Sequence, residues 1–340
     1  MRQLTVLFLV IVSACLAPVR ADDAPKLREF TFTQPHMGTL FRIVLYAPDE
    51  ARAKKAADAA FARIAQLDDS MSDYKPDSEL MRLCKKAGTG SVEVSPDLFK
   101  VLEKADEIAR LTDGAFDVSI GPVVKLWRKA RRTRMLPDME ALKAALAKVD
   151  FRKIKLDPMR RTVELLIAGM LLDLGGIAKG YAGDCALEVL RSHGLPRGLI
   201  AGGGDIVVGE PPPGQKGWKV GIAPLKNPAA APTHWLLLKN AAVSTSGDSE
   251  QYVEIDGKRY SHVIDPKTGL GLNGRRSVSV IAKNGLTADG LDTPLSVWDQ
   301  DRALKFLEAR PELAGILVYE LDGKEVTKTT RNFKNYEYPK

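Results

Sequence analysis

Residues 251–263 read QYVEIDGKRYSHV, and this stretch decides the fold class. Two runs rich in Tyr, Val and Ile flank the connection DGK, which is short enough for a hairpin between neighbouring strands. Strands joined in this way run antiparallel. Because similar strands outnumber helices after Val163, we predict an α+β protein with a mixed or antiparallel sheet core and packed helices.

Apolar residues at helical spacing predict helices between the strands. The predicted helices cover about 50–67, 95–111, 177–193 and 286–309. Ser95 is the candidate N-cap of the second helix. No internal repeat, low-complexity tract or flexible linker divides the chain, so we expect one domain over about residues 30–335.

The composition is that of a globular protein, with 340 residues, 45% of them apolar, and 28 Gly and 20 Pro. A chain of this length buries about three quarters of its unfolded surface and needs no disulfide or structural metal to fold. The net charge of +7 is weaker than the basic stripe of a dedicated nucleic-acid binder, so we expect no nucleic acid as partner. Four His and three Cys leave little for zinc.

The first residues have the pattern of an export signal. Arg2 precedes the apolar run 4–17, which is too short for a stable membrane anchor but fits a signal peptide. Cleavage after Ala21 would release a soluble chain and lower the formal charge from +7 to +5. Alternatively, Cys15 in VSAC would carry the lipid of a lipoprotein. We expect an exported, periplasmic protein, soluble or tethered to the inner membrane.

Two features of the mature chain have competing interpretations. Cys84 and Cys185 are either two buried thiols, the simpler interpretation, or a disulfide formed in an oxidising compartment. Segment 124–138 (VKLWRKARRTRMLPD) is interpreted as a solvated helix face, with docking to an acidic partner or a lipid surface as the alternative. Its basic residues are Lys125, Arg128, Lys129, Arg131, Arg132 and Arg134.

Segment 172–184, LDLGGIAKGYAGD, has a glycine pattern that a protein core does not require. A strand ends at Asp173, turns through Gly175 and Gly176, and enters a helix, which lets the backbone approach a phosphate. The P-loop pattern fails because Tyr181 stands where Lys is required, and the Rossmann pattern is absent. A simple glycine turn is the alternative.

Two later segments combine small and polar residues. In LIAGGGDIVVGE, residues 202–204 precede a strand and not a helix, so they form either a bend that lines a pocket or a bulge. In segment 243–269, a small polar loop at 244–247 is followed by His262, in a strand running into the Asp265-Pro266 turn. A lone His is more often structural, but a pKa near 6.5 suits proton abstraction from a hydroxyl.

Segment 286–298, LTADGLDTPLSVW, presents Asp289 and Thr293 four residues apart on a predicted helix, hence on one face. A carboxylate and a hydroxyl are hard oxygen ligands that suit Mg²⁺ or Ca²⁺ better than zinc. A capped helix start with an exposed face is the alternative.

The order of these segments is characteristic of a family. MGT at 37–39, SDYKPDSEL at 72–80, DGAFD at 113–117, LDLGGIAKGYAGD, AGGGD, STSG with RYSHVIDPKTG, and TADGLDT recur in this order in the ApbE family. Over about residues 30–320 the chain therefore resembles the FAD:protein FMN transferases. The resemblance implies an ApbE-like, T-fold-related α+β fold and a Mg²⁺-dependent enzyme. Such enzymes transfer the FMN half of FAD to a Thr or Ser hydroxyl of an exported protein, through a phosphoester bond, and release AMP.

The resemblance also implies site residues and partners. The implied metal ligands are the side chains of Asp289 and Thr293 and the backbone carbonyl of Gly176. His262 matches the residue considered the base for the acceptor hydroxyl. Redox-pump subunits and other exported electron carriers are the implied acceptors. The implied FAD contacts are Met37, Tyr74, Ala115, Phe116, Asp117, Asp173, Lys179 and Ile264.

The last segment departs from the family pattern. Gly290, Asp292 and Pro294 stand where the family more often has small apolar residues. Gly lowers helix propensity by about 1 kcal/mol relative to Ala, and Pro fits a helix only in its first turn or at a kink. We therefore expect looser metal geometry or a later helix start, with Asp292 either an extra ligand or solvent-facing.

Two other functions fit the same residues. If water replaced the protein hydroxyl, the site would act as a FAD pyrophosphatase that yields FMN and AMP. A non-catalytic exported FAD-binding protein is the alternative outside enzymes. A conventional binding protein of that kind would show repeated βα alternation in two lobes, and it would not need His262 beside an Asp/Thr metal pair.

Overall fold

The computed structural model describes residues 26–227, 230–247 and 251–339. The predicted export signal, with Arg2, Cys15 and both processing sites, lies outside these residues. Within the described part, no helix combines the length and apolar character needed to cross a membrane. Both Cys84 and Cys185 are free thiols, and Cys84 is buried as the simpler interpretation predicted, whereas Cys185 is only half-buried.

Helices dominate the N-terminal half of the described chain and strands the C-terminal half. The helices are α1 (Glu50–Met71), α2 (Glu79–Lys85), α3 (Pro96–Leu111), α4 (Gly121–Thr133), α5 (Met139–Leu146), α6 (Ala178–Ser192), α7 (Gly285–Val297) and α8 (Gln300–Glu308). The first strands are β1 (Arg28–His36), β2 (Thr39–Ala47), β3 (Val92–Glu93), β4 (Ile154–Asp157) and β5 (Thr162–Leu165). They are followed by β6 (Gly198–Gly202), β7 (Asp205–Val208), β8 (Trp218–Ile222), β9 (His234–Leu238), β10 (Ala241–Gly247), β11 (Tyr252–Ile255), β12 (Lys258–Ser261), β13 (Arg276–Ala282), β14 (Ala314–Leu321) and β15 (Lys324–Thr329).

The main sheet has eight strands in the order β1-β2-β6-β7-β10-β13-β14-β15. Each neighbouring pair in it is antiparallel, which confirms the predicted α+β class. The hairpin expected at 251–263 is β11 with β12, and its turn residues Asp256 and Gly257 both have positive φ. Within the described part, this hairpin forms a separate two-stranded sheet.

Apolar side chains cover both faces of the main sheet. In β2, Ile43 and Leu45 enter the large core shared with α1, α6 and α7, whereas Val44 and Tyr46 pack on a second core with β8 and β9. This split follows from the two-residue side-chain period of a strand. The sheet is therefore sandwiched, and α6 and α7 lie against its central strands.

Two predicted elements were wrong in detail. The helix expected over 286–309 is two helices, because α7 ends at Val297 and Asp299 starts α8 by accepting a hydrogen bond from the Arg302 N–H at 2.9 Å. The strand expected at LLDL is reduced to one bridge, between Leu171 and Ile120. The predicted N-cap at Ser95 and the predicted helix start near residue 50 are confirmed, and Asp49 provides the side-chain cap of α1.

Candidate active site

The glycine turn of segment 172–184 joins three parts of the molecule. Asp173 Oδ1 accepts a hydrogen bond from the Gly175 N–H at 2.8 Å, which closes the turn before α6. A Cβ atom on Gly176 would lie 3.0 Å from Thr293 Oγ1 and 3.5 Å from the Phe116 ring. The predicted metal residues Gly176 and Thr293 are therefore neighbours, and Phe116 lies beside them.

Helices α6 and α7 approach each other through glycine. A Cβ on Gly180 would lie 2.1 Å from the Gly285 carbonyl oxygen. The Gly180 N–H donates to Asp289 Oδ2 at 2.8 Å, so a carboxylate from α7 accepts from the first turn of α6. This position suits an anion because the N-terminus of a helix carries partial positive charge.

Three buried carboxylates converge beside this contact. Asp205, Asp289 and Asp292 are 4%, 2% and 3% exposed, and one oxygen of each lies within 4.8 Å of the others. The Lys179 ammonium is 2.9 Å from Asp205 Oδ2 and 3.6 Å from Asp289 Oδ1. It also donates to the Gly175 carbonyl at 3.1 Å. Asp205 is not among the residues predicted for the site, although the AGGGD motif ends on it.

Ser244 of the predicted polar segment links two of these carboxylates. Its Oγ contacts Asp205 Oδ1 and lies 2.5 Å from Asp292 Oδ2. One hydroxyl carries one hydrogen, so one of the two carboxyls must bring a proton of its own for both contacts to be hydrogen bonds. Burial and the neighbouring Asp289 raise the pKa of Asp292 well above its usual range. The solvent-facing alternative for Asp292 is therefore wrong.

The charges in this cluster do not balance. Burial and Asp205 raise the pKa of Asp289 to about 7, against the effect of Lys179. Burial alone would lower the pKa of Lys179, but Asp205 and Asp289 raise it overall. Three carboxylates against one ammonium leave negative charge that a proton or a further cation would offset. Carboxylate and hydroxyl oxygens, with Gly176 close to Thr293, form a donor set that fits a hard divalent cation such as Mg²⁺.

The loops of two other motifs lie beside Lys179. A Cβ on Gly203 of AGGGD would be 3.7 Å from both Lys179 Cε and Thr39 Oγ1. Thr39 ends the MGT motif, whose Met37 adopts a φ of +48° in the β1–β2 turn. A non-glycine residue in this region costs about 1 kcal/mol, so the surrounding fold holds Met37 in place.

The DGAFD loop is fixed by its own last residue. Ala115 and Phe116 are buried, and Asp117 accepts hydrogen bonds from Ser119 N (2.8 Å), Ser119 Oγ (2.6 Å) and Phe151 N (2.9 Å). Burial raises the pKa of Asp117 despite these bonds. The side chain of Asp117 therefore stabilises the loop through hydrogen bonds, whereas the ring of Phe116 lies beside the turn at Gly176.

Two further FAD contacts implied by the resemblance, Tyr74 and Asp173, meet through Arg128. The Arg128 guanidinium carbon is 4.0 Å from the centre of the Tyr74 ring, and Nη2 is 3.0 Å from Asp173 Oδ2. Nη1 donates to Asp73. The interpretation of the basic run as a solvated face is wrong for Arg128, which is half-buried. Arg131 is also half-buried, whereas Lys125, Lys129, Arg132 and Arg134 are exposed, as both the solvated-face and the docking interpretations require.

His262 follows β12 and is exposed. Its Nδ1 lies 3.1 Å from the Gln251 carbonyl oxygen, which only accepts, so Nδ1 is the donor and Nε2 is the nitrogen that carries the lone pair when the ring is neutral. Ile264 is instead buried in a satellite core with Trp127 of α4. Within the described part, no contact joins His262 directly to the aspartate cluster.

Comparison with known proteins identifies the family of this chain. Residues 37–317 match the ApbE family. The chain belongs to the ApbE family. A relative from Haemophilus influenzae, named FAD:protein FMN transferase, is 32% identical over 334 residues, covering 95% of this chain and 96% of the relative. One of the same name from Treponema pallidum is 32% identical over 309 residues, covering 86% and 85%.

Solved ApbE structures share the fold. The flavin transferase ApbE from Vibrio cholerae superposes with a TM-score of 0.83 at 29% identity, covering 92% of this chain and 100% of that one. The ApbE protein from Thermotoga maritima gives a TM-score of 0.81 at 28% identity, with the same coverage. The predicted ApbE-like fold is thereby confirmed.

Proposed function

We propose that this chain transfers the FMN half of FAD to a hydroxyl group of an acceptor protein. The observation that carries the proposal is the convergence of Asp205, Asp289, Asp292 and Lys179 beside the glycine turn at 175–176. A buried acidic cluster next to a phosphate-compatible turn suits a diphosphate bound with a divalent cation. Family membership and the names of the relatives support the same activity.

Mg²⁺ is proposed as the resident cation, held by Asp289, Thr293 and the Gly176 carbonyl. When bound, it would neutralise charge on the diphosphate and favour departure of the AMP half. Asp205 and Asp292 would adjust the charge around these ligands, and the Lys179 ammonium would lie ready to contact a phosphate oxygen. The N-terminal turn of α6 would add backbone N–H donors.

The proposed reaction is a direct displacement at the FMN-side phosphorus. The acceptor Thr or Ser oxygen forms a new P–O bond, the bond to the bridging oxygen breaks, and AMP leaves with that electron pair. The hydroxyl proton goes to His262 Nε2, which the Gln251 contact leaves as the basic nitrogen of the neutral ring. No covalent enzyme intermediate is required.

The test is a transfer assay with the mature chain, FAD, Mg²⁺ and candidate acceptor proteins from the same cell. Transfer is expected to give a flavin-fluorescent acceptor band whose mass rises by that of FMN minus one water at one Thr or Ser, together with one AMP per flavin. Rapid release of FMN and AMP without acceptor would instead indicate a pyrophosphatase. Tight FAD binding with neither reaction would indicate a binding protein.

His262→Ala should bind FAD normally but transfer FMN about 10² to 10⁴ times more slowly, because it lacks the base. Binding is measured by flavin fluorescence and transfer by the gel assay. His193→Ala is the matched control, since His193 lies at the end of α6, and it should transfer at the wild-type rate. Near-normal transfer by His262→Ala would remove this residue from the mechanism.

We also propose that the chain works outside the cytoplasm, with exported electron carriers or redox-pump subunits as acceptors. The apolar run 4–17 and the two processing patterns support export. Expression of wild type and Cys15→Ser, followed by fractionation and mass measurement, tests both routes. A lipid on Cys15 that the substitution abolishes supports tethering, whereas a mature N-terminus after Ala21 in both proteins supports soluble release. Recovery of an unprocessed cytoplasmic chain would contradict export.

A further inference from the structure

Two adjacent side chains of helix α4 contact three segments around the proposed site. Trp127 Nε1 donates to the Gly269 carbonyl at 2.7 Å, in the loop that follows His262. The next residue, Arg128, reaches the 72–78 loop and the turn before α6. The hydrogen bond of Trp127 holds this turn of α4, and the contacts with Asp73 and Asp173 hold the guanidinium of Arg128.

Arg128 forms a bridge between two acidic loops. Its side chain is 23% exposed, and those of Asp73 and Asp173 are 13% and 12% exposed, so water screens these pairs only partly. Each terminal nitrogen of the guanidinium serves a different carboxylate, a geometry that the single ammonium of Lys does not reproduce. Asp173 also closes the glycine turn through Gly175, so the bridge extends to the turn.

Tyr74 adds a flat surface to this bridge. One face of its ring rests on the guanidinium at 4.0 Å, yet the residue is 73% exposed. The opposite face is therefore open to solvent. An aromatic ring with a cation behind it and an open front face is suited to stack against a flat ligand ring.

We propose that Arg128 is a positioning residue that holds the Tyr74 ring as a stacking platform for one of the two flat ring systems of FAD. This inference rests on the proposed function, because it needs FAD as the ligand. Arg128 acts through Tyr74 and Asp173, and neither the family resemblance nor the metal cluster includes it.

The test compares FAD affinities by flavin fluorescence titration for wild type, Arg128→Gln, Arg128→Lys and Arg132→Gln. Arg128→Gln and Arg128→Lys should each raise the Kd about tenfold or more, since a lost stacking contact is worth about that much. Arg132 is exposed on the same helix, so Arg132→Gln is the matched control and should leave the Kd unchanged. Circular dichroism melting shows which variants are folded. If Arg128→Gln unfolds, the comparison is made with Arg128→Lys, which keeps the charge.

Two further readouts separate positioning from general weakening. In the transfer assay, the KM for FAD should rise while kcat at saturating FAD stays within about threefold. Tyr74→Leu and Arg128→Gln should be non-additive, because both remove the same platform. Additive effects, a loss confined to kcat, or a wild-type Kd in the folded Arg128 variant would overturn the assignment. If the wild-type protein does not bind FAD, that result contradicts the proposed function, and it also contradicts the stacking platform, which needs FAD as its ligand.

Discussion

The carboxylate of Asp289 contacts two groups, the Gly180 N–H and the Lys179 ammonium. One of its oxygens accepts the Gly180 N–H at 2.8 Å, and the other faces the Lys179 ammonium at 3.6 Å. A group fixed in this way has little rotational freedom left to lose when a cation binds. Burying the ionised carboxylate costs free energy, and a bound cation would offset that cost.

Asp289→Ala should therefore lose both cation binding and transfer activity. Removing one of few hard ligands is expected to weaken Mg²⁺ binding at least about tenfold. Calorimetric titration of the flavin-free protein with Mg²⁺ measures this directly. Asp58→Ala, which removes an exposed carboxylate of α1, should titrate like wild type. An unchanged Mg²⁺ titration of Asp289→Ala would contradict the ligand assignment.

At the element scale, glycines set how closely α7 approaches its neighbours. A Cβ on Gly180 would meet the Gly285 carbonyl at 2.1 Å, whereas one on Gly290 would meet the Ile108 side-chain end at 2.4 Å. Backbone cannot move aside cheaply, but the tip of an isoleucine can. Gly290 therefore stands where α7 packs tightly on α3, although another residue would favour the helix more.

Gly180→Ala should destabilise the protein by at least about 2 kcal/mol, since the two helices must separate. Gly290→Ala should cost clearly less, because Ile108 can rotate and Ala favours the helix by about 1 kcal/mol. Gly214→Ala adds a Cβ in open space at a φ of +72°, so only backbone strain of about 1 kcal/mol is expected. Urea unfolding measures all three, and equal losses for Gly180 and Gly290 would refute the packing account.

The proline in α7 also has a structural consequence. The helix starts at Gly285, so the predicted later start is wrong, and Pro294 lies in its interior. Pro294 has no N–H to donate to the Gly290 carbonyl. The helix continues for only three more residues and ends where the Trp298 N–H bonds to the Pro294 carbonyl. Thr293, the predicted ligand, therefore lies just before a break in the helical ladder.

At the scale of the whole molecule, helices α1, α3 and α6 are tied together at Asp97. Its Oδ1 accepts from Arg63 Nη2 at 2.5 Å and from Tyr181 Oη at 2.6 Å. Burial alone would raise the pKa of Asp97, but these two hydrogen bonds lower it below the ordinary 3.8. A carboxyl whose pKa is lowered on folding stabilises the fold above its unfolded pKa and loses that contribution as the pH falls through the folded value.

Asp97→Asn should lower the free energy of unfolding by about 1 kcal/mol at pH 7, allowing for the partial exposure of the pair. As the pH falls below 3.8 towards the lower folded pKa of Asp97, the difference from wild type should shrink, because Asp97 then becomes protonated. Urea unfolding at pH 7, 5 and 3 measures both. Asp58→Asn, in an exposed pair with Lys54, should change stability by less than about 0.5 kcal/mol. A constant difference across pH would refute the charge account.

Much of the site could be predicted from sequence because its parts are local motifs. The turn at Gly175 and Gly176, the helical pair Asp289 and Thr293, and the polar run at Ser244 are each readable within a few residues. Asp205 was missed because no helical or strand spacing relates it to Asp289. The prediction that Arg128 is solvated was wrong because the pattern of a basic helix does not show which of its cations pairs with Asp173.

The sequence by itself determined the α+β class, the antiparallel hairpins and the segments that supply the site. These features depend on periodicity and turn chemistry, which act between residues close along the chain. The tertiary structure alone decided that Asp205 joins Asp289 and Asp292, that Gly180 meets Gly285, and that Arg128 lies beneath Tyr74. Such contacts depend on which strands and helices become neighbours, and burial across the whole core determines that order, beyond the reach of any local pattern.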